Sequence, residues 1–198
     1  MARIDYYFSV LSPFSYLAGL GLEEVAARRD ATIAYRPMDI MKVFAETGGV
    51  PVPQRHPSRI AYRTQELLRI SARRGLAFNL QPAHWPTDPV PASLAVIAVA
   101  EAGGDAGALA HAFLRAVWAE ERDIGDLAVV AAILGENDHD AAALAAATIR
   151  AAAEGIYQAN TEAAIAAGVF GAPFYVVDGE MFWGQDRLDY LDDCLAGG

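Results

Sequence analysis

Ser12 and Pro13 stand where an apolar, aromatic-rich segment runs into a helical pattern, within residues 4–18. Serine is a favoured N-cap, and proline is favoured as the first helical residue because it has no N–H to lose and its φ angle is already helical. The first turn of a helix also offers unpaired backbone N–H groups and the positive end of the helix dipole. This junction therefore predicts an anion-binding site beside the Ser12 hydroxyl.

Composition narrows the class of protein that carries this site. The chain has 198 residues, 54% hydrophobic and 20% charged, which is typical of a folded protein with one well-buried core. Its net charge of -10 argues against a nucleic-acid partner. The charged start is unlike a secretory signal, and no apolar run is long enough for a membrane helix, so we expect a cytoplasmic protein. A single cysteine, Cys194, agrees with a reducing compartment.

The elements around Ser12 form a predicted βαβ unit. Residues 4–8 predict a first strand, residues 13–29 a helix with one apolar face, and residues 32–40 a second strand. Two strands joined by one helix in this order are expected to be parallel, with a right-handed connection.

Alanine-rich segments with helical periodicity fill the middle of the chain, from about Pro57 to Gly168. Helix boundaries are predicted at Gly75, at residues 81–91, 103–105 and 125–126, and at residues 136–140. We expect five or six helices there and no strand.

Strand character returns near the end of the chain. Residues 174–177 and 181–183 flank Asp178-Gly179, a two-residue hairpin signal, and a last helix is predicted from Asp186, a candidate N-cap, to about Leu195. Two strands alone are only marginally stable, so the two ends should meet in one sheet. The predicted fold is α/β and thioredoxin-like (βαβ + ββα), with residues 1–45 and 169–198 in the thioredoxin-like domain and residues 46–168 as a large all-helical insertion.

Four segments carry a resemblance to a known family: FSVLSPFSYLA, YRTQELLRISARRG, GVFGAPFYVV and MFWGQDRLDYL. The chain resembles the 2-hydroxychromene-2-carboxylate isomerases and the related kappa-class glutathione transferases. These share a thioredoxin fold with the periplasmic disulfide oxidoreductases. The segments span nearly the full length of the chain.

The resemblance implies a glutathione site. Ser12 takes the place of the oxidoreductases' reactive cysteine and would hold the thiol of glutathione. Ala172, before a cis Pro173, would pair by its backbone with the cysteinyl unit, and Gln185 with Asp186 would hold the γ-glutamyl group. No Cys-x-x-Cys motif occurs, so disulfide exchange is the least supported activity.

Two positions depart from the family pattern. Gly49 stands where the family often has asparagine, and Arg59 stands where it has lysine. Arg59 is either a solvated helix charge or a clamp for a substrate carboxylate, which a guanidinium binds in bidentate fashion. Trp85 is either a core residue or part of a slot for the substrate ring. The four histidines are too scattered in sequence to predict a metal site.

The free energy needed to stabilise a thiolate shows what Ser12 would have to contribute. The residue is either a plain helix cap or a hydrogen-bond donor to a thiolate, since no histidine stands in a triad context that would make it a nucleophile. Lowering a thiol pKa by two units requires about 2.7 kcal/mol. A helix end supplies roughly 0.3 to 2 kcal/mol, and a hydrogen bond to a charged acceptor adds about 1.5 to 3 kcal/mol.

Three functions follow as hypotheses. The first is a glutathione-dependent cis-trans isomerase acting on an aromatic carboxylate of the hydroxychromene type. The second is a kappa-like glutathione transferase that releases a stable conjugate. The third is a non-catalytic thioredoxin-fold binding protein. The resemblance also implies a homodimer.

Overall fold

The computed structural model describes residues 1–144 and 147–197. Its four strands are β1 (Arg3–Phe8), β2 (Thr32–Pro37), β3 (Phe174–Val177) and β4 (Glu180–Trp183). Its helices are α1 (Pro13–Leu17), α2 (Gly21–Arg28), α3 (Ile40–Thr47), α4 (Pro57–Arg74), α5 (Val90–Glu101), α6 (Ala106–Trp118), α7 (Leu127–Glu136), α8 (Ala141–Leu144), α9 (Ala147–Ala166) and α10 (Leu188–Ala196), with a 3-10 turn at Val52–Gln54.

The strands form one mixed sheet in the order β2-β1-β3-β4. Strand β1 runs parallel to β2 and antiparallel to β3, and β3 pairs with β4 through a hairpin. The two ends of the chain therefore meet at the β1–β3 pair, which confirms the predicted thioredoxin-like arrangement of βαβ and ββα. The division into a thioredoxin-like domain and a helical domain stays a prediction.

Alternation along the strands gives the sheet two apolar faces, as the two-residue period of a strand requires. Tyr6, Phe8 and Tyr175 point into the larger core, which α1, α2, α5, α6 and α10 cover. Tyr7 and Phe174 point into a smaller core on the opposite face, under α3 and α9. The sheet is thus held from both sides, and the loop at the end of β1 has a fixed position.

The first helix differs from its prediction. Instead of one helix over residues 13–29, the chain forms the short α1 and then α2, with Gly19 between them at φ +58°. This left-handed conformation is easily adopted by glycine and ends a helix there. The break leaves only five residues in the helix that Ser12 caps.

Two further boundaries were wrong. Strand β2 ends at Pro37 rather than at residue 40, because Asp39 starts α3 by accepting hydrogen bonds from the N–H groups of Met41 and Lys42. The last helix begins at Leu188, and its N-cap position is Arg187, which makes no side-chain cap bond. Asp186 is therefore not the cap that the sequence predicted, and its carboxylate is left for other contacts.

The middle of the chain is helical as predicted, with α4 to α9 and no strand among its described residues. Each of the five predicted boundaries marks a break between helices, although residues 90–91 belong to α5 and Glu136 ends α7, and Gly75 is the C-cap of α4. Helix α5 is buried over most of its length, from Ala92 to Val99. Among the described residues, no helix is long and apolar enough to cross a bilayer.

Candidate active site

The Ser12 hydroxyl lies at the start of α1, at the end of the loop that connects β1 to this helix. Its Oγ accepts a hydrogen bond from the Ser15 N–H at 3.2 Å, so it is the N-cap that the sequence predicted. The same Oγ donates to the carbonyl oxygen of Ala172 at 3.1 Å. Ser12 is only partly buried, so its hydroxyl fixes the helix start at a position that is not sealed from solvent.

Ala172 and Pro173 form the second part of this site. The peptide bond between them is cis, as predicted. The Pro173 carbonyl accepts from the Gly184 N–H at 3.0 Å, which anchors the loop to the end of β4. Among the described residues, the Ala172 N–H donates to no backbone carbonyl or side chain. A backbone donor therefore remains available beside the Ser12 hydroxyl, where a ligand's peptide group can pair with it.

Gln185 and Asp186 follow β4 at the same end of the sheet. The Arg74 guanidinium holds this segment: it donates to the Gln185 side-chain oxygen at 3.2 Å and to the Ala18 carbonyl at 2.7 Å. The exposed Asp186 carboxylate pairs with Arg187 at 2.6 Å. Gly184, at φ +114°, lets the chain turn here, and a side chain at position 184 would collide with the Asp186 carboxylate.

The short α1 changes the electrostatic argument for Ser12. Five helical residues give a much smaller aligned dipole than the helix predicted over residues 13–29. The stabilisation of an anion beside Ser12 must therefore come mainly from direct donors, namely the Ser12 hydroxyl and nearby N–H groups.

Aromatic side chains border the Ser12 helix. The Trp85 indole N–H donates to the carbonyl of Leu11, the residue before Ser12, at 3.3 Å. Trp85 is half-buried and packs against Trp118 with ring centroids 5.8 Å apart. Phe14, two residues after Ser12, is also half-buried. The two rings thus border the residues on either side of Ser12, and each leaves part of its apolar surface uncovered.

Helix α4 brings basic side chains to this end of α1. The Arg63 guanidinium lies over the Phe14 ring, 5.8 Å from its centroid. Burial and the positive charge of Arg55 lower the pKa of Arg63 to about 10. Arg59, the arginine that the resemblance singled out, lies one turn earlier on α4 and is exposed. Its role as a carboxylate clamp stays a prediction.

Gly49, the other departure from the family pattern, is explained by packing. A Cβ atom at position 49 would overlap the ring of Phe44 on α3. The side chain of an asparagine could enter only if Phe44 moved. The space beside the Gly49 backbone is thus taken by an aromatic ring.

Sequence reasoning missed Arg63 and Arg74. The two residues lie on the same face of α4 as Leu67, which is buried, and the interruption of that apolar face by arginines was a signal that could have been used. It could not have shown that Arg63 meets Phe14 or that Arg74 meets Gln185, since both contacts are long-range. Within the described ranges, no group of three or more His, Cys, Asp or Glu side chains could hold a metal ion.

A mixed sheet of this order, with a capped helix start beside a cis proline, defines a thioredoxin-fold protein, with Ser12 at the start of its first helix. The lone Cys194 is far along the chain, on α10, where its thiol donates to Glu180 at 3.4 Å. Comparison with known proteins agrees with this class: residues 3–196 match the DSBA-like thioredoxin domain family. The chain belongs to that family and, within it, to the family of the 2-hydroxychromene-2-carboxylate isomerases.

Individual relatives span nearly the whole chain. The 2-hydroxychromene-2-carboxylate isomerase of Sphingobium xenophagum is 33% identical over 196 residues, covering 97% of both chains. That of Pseudomonas putida is 31% identical over 195 residues, covering 98% of this chain and 94% of its own. A solved structure of 2-hydroxychromene-2-carboxylate isomerase superposes with a TM-score of 0.79 at 28% identity, covering 98% of this chain and 94% of that one.

Proposed function

We propose that this protein is a glutathione-dependent isomerase that acts on an aromatic carboxylate of the 2-hydroxychromene-2-carboxylate type. Full-length relatives named as such isomerases support the reaction class. The observation that carries the glutathione part is the contact between Ser12 and Ala172, which brings a hydroxyl and a free backbone N–H to one place.

The residues present fit the tripeptide. The Ala172 N–H and carbonyl provide the backbone pair that a cysteinyl unit needs, and the Ser12 hydroxyl lies beside them. The exposed Asp186 carboxylate, held near Gln185, provides a partner for the γ-glutamyl ammonium. When bound, glutathione supplies a thiolate that adds reversibly to a conjugated carbon, so that a double bond becomes a single bond free to rotate.

Each side chain then has a defined task. The Ser12 hydroxyl leaves the Ala172 carbonyl and donates to the sulfur, which favours the charged form of the thiol. The Ala172 backbone orients the tripeptide, and Asp186 fixes its far end. Trp85 and Phe14 offer flat apolar surfaces for the substrate ring, and Arg59 adds positive charge at the entrance for a carboxylate.

A time course with glutathione and 2-hydroxychromene-2-carboxylate tests this function. Mass spectrometry is expected to find a product of unchanged mass, formed only when glutathione is present and with no loss of glutathione. A stable thioether as the final product would show a kappa-like transferase instead. Calorimetry that finds no glutathione binding at millimolar ligand would favour a non-catalytic binding protein.

The setting of the reaction follows from the same proposal. We expect the enzyme to work in the cytoplasm, where glutathione is reduced and abundant enough to serve as a cofactor, and as a homodimer like the family it resembles. Sedimentation of the full chain tests the second expectation.

A further inference from the structure

Three arginines gather at the end of α4 that lies beside the Ser12 helix. Arg55 precedes the helix, and Arg59 and Arg63 follow at intervals of four residues. The chain as a whole carries 25 acidic and 15 basic residues, so a cluster of three arginines is unusual for its net negative charge. Such a cluster repels itself unless an anion compensates it.

The position of this cluster follows from two contacts between α4 and α1. Arg63 lies over Phe14, near the start of α1, and Arg74 donates to the carbonyl of Ala18, which follows its end. The two helices therefore run in the same direction, side by side. The early residues of α4 lie at the end of α1 that Ser12 caps, rather than at its far end.

Arg63 is the member of the cluster that faces inward. It is half-buried, and among the described residues it makes no ion pair and no side-chain hydrogen bond. Its guanidinium carbon lies 5.8 Å from the centroid of the Phe14 ring, a contact that uses none of its N–H donors. Even partial burial of a guanidinium costs hydration, and no carboxylate of the described residues compensates that cost at Arg63.

Arg55 adds a second, differently held guanidinium. Its Nε donates to the Val50 carbonyl at 2.7 Å, which fixes the side chain but leaves the two terminal nitrogens without a bond to the described chain. Burial lowers the pKa of Arg55, and the positive charge of the nearby Arg59 lowers it further. The charge that acts on Arg55 is therefore another arginine and not a carboxylate. No carboxylate is among the groups that perturb Arg55 or Arg63.

We propose that Arg63, together with Arg55, forms a carboxylate-binding site beside Ser12, which selects ligands with a carboxylate over their neutral analogues. This rests on the proposed function, because Arg63 packs on Phe14, two residues after the serine whose hydroxyl would hold the sulfur. Two carboxylates are available to it, that of the aromatic substrate and the glycyl carboxylate of glutathione. A guanidinium binds either of them in the same bidentate geometry.

The substrate arm of the test uses chromone-2-carboxylate and chromone-2-carboxamide, two ring analogues of nearly the same shape, of which only the first is negatively charged and can accept both bonds of a guanidinium fork. Calorimetry on the full chain is expected to show that the carboxylate binds at least about tenfold more tightly than the amide. Arg63→Gln should remove this preference, and Arg63→Lys should keep part of it, because lysine retains the charge but not the fork. Arg73→Gln, which removes an exposed charge from the same helix, should bind both probes as the unchanged protein does.

The glutathione arm compares glutathione with its glycyl ethyl ester. If Arg63→Gln removes a preference for glutathione over the ester, and leaves the chromone preference intact, the site exists and holds the glycyl carboxylate. If Arg63→Gln melts at the same temperature as Arg73→Gln and changes neither preference, the proposal is overturned. Absence of glutathione binding in the unchanged protein would refute the proposed function instead. The chromone measurements need no glutathione, so they would still show whether Arg63 binds a carboxylate.

Discussion

The Ser12 Oγ donates a hydrogen bond to the Ala172 carbonyl oxygen at 3.1 Å, although 160 positions separate the two residues. This bond joins the start of α1 to the loop before β3 and thus ties the two ends of the chain together at one point. In the proposed glutathione site, a bound tripeptide would use the same atoms. The structural and the functional roles of Ser12 are therefore coupled, and substitutions must be chosen to separate them.

Two substitutions of Ser12 separate its cap from its chemistry. Ser12→Ala removes the cap and the bond to Ala172, and it is expected to lower the free energy of unfolding by about 1 to 2 kcal/mol. Ser12→Gly should cost less, because glycine is itself a tolerated N-cap. Both should lose most of the isomerase activity at glutathione saturation. Denaturant unfolding and initial rates measure the two effects. If the variants lost activity only in proportion to their loss of stability, the hydroxyl would be only a cap.

Asp186 should recognise the γ-glutamyl end of glutathione. Asp186→Asn is expected to weaken glutathione binding by about tenfold, because a charge-assisted hydrogen bond to the ammonium is lost. Binding of cysteinylglycine, which lacks the γ-glutamyl group, should not change. Arg187→Gln, which removes the other partner of this carboxylate, is the matched control and should bind glutathione at least as tightly as before. Equal weakening of both ligands by Asp186→Asn would contradict this role.

Arg74 should act by positioning rather than by touching the ligand. Its guanidinium joins the Ala18 carbonyl to Gln185, so Arg74→Met would free the segment that carries Gln185 and Asp186. We expect about a fivefold to tenfold rise in the glutathione Kd, with little change in the rate at saturating glutathione. Arg73→Gln should change neither. A fall in the saturated rate with an unchanged Kd would place Arg74 in the reaction itself.

Glu23 makes the stability of the fold sensitive to acid. Burial alone would raise the pKa of this carboxyl, but hydrogen bonds from His111 at 2.8 Å and Tyr35 at 2.7 Å, with the charge of His111, outweigh burial and lower it. A carboxyl with a lowered pKa stabilises the fold above its ordinary value of 4.5, and that contribution is lost as the pH falls.

The unchanged protein should therefore lose more stability than Glu23→Gln between about pH 5 and pH 3. Glutamine keeps the shape of the side chain but cannot be protonated in that range. Urea unfolding at a series of pH values measures the difference. Parallel curves for the two proteins would show that Glu23 does not contribute to the acid sensitivity.

Local signals in the sequence were enough for much of this account. Serine before proline marked the start of α1, and Asp178-Gly179 marked the hairpin that the structure confirms. The break at Gly19 was missed because the apolar face of residues 13–29 continues across it, although glycines at positions 19 and 21 weaken a helix. Helix α3 was missed because residues 32–40 have strand character up to Pro37.

The charged part of the site could not be predicted from local patterns. Arg63 and Arg74 acquire their roles from Phe14 and Gln185, which lie on other elements of the fold. A helical pattern shows which face of α4 is buried, but not which residue of another helix it meets. Arg59, the position that the resemblance favoured, lies one turn earlier on the same helix and is exposed.

The pKa of the glutathione thiol in the bound state tests the central claim most directly. Ultraviolet titration of the thiolate in the complex is expected to give a pKa about two units below the value near 8.5 of an ordinary thiol. In Ser12→Gly, which keeps a tolerated cap, the pKa of the bound thiol should rise most of the way back to about 8.5 while glutathione stays bound. A bound thiol that titrates at the same pH with and without the Ser12 hydroxyl would contradict the account.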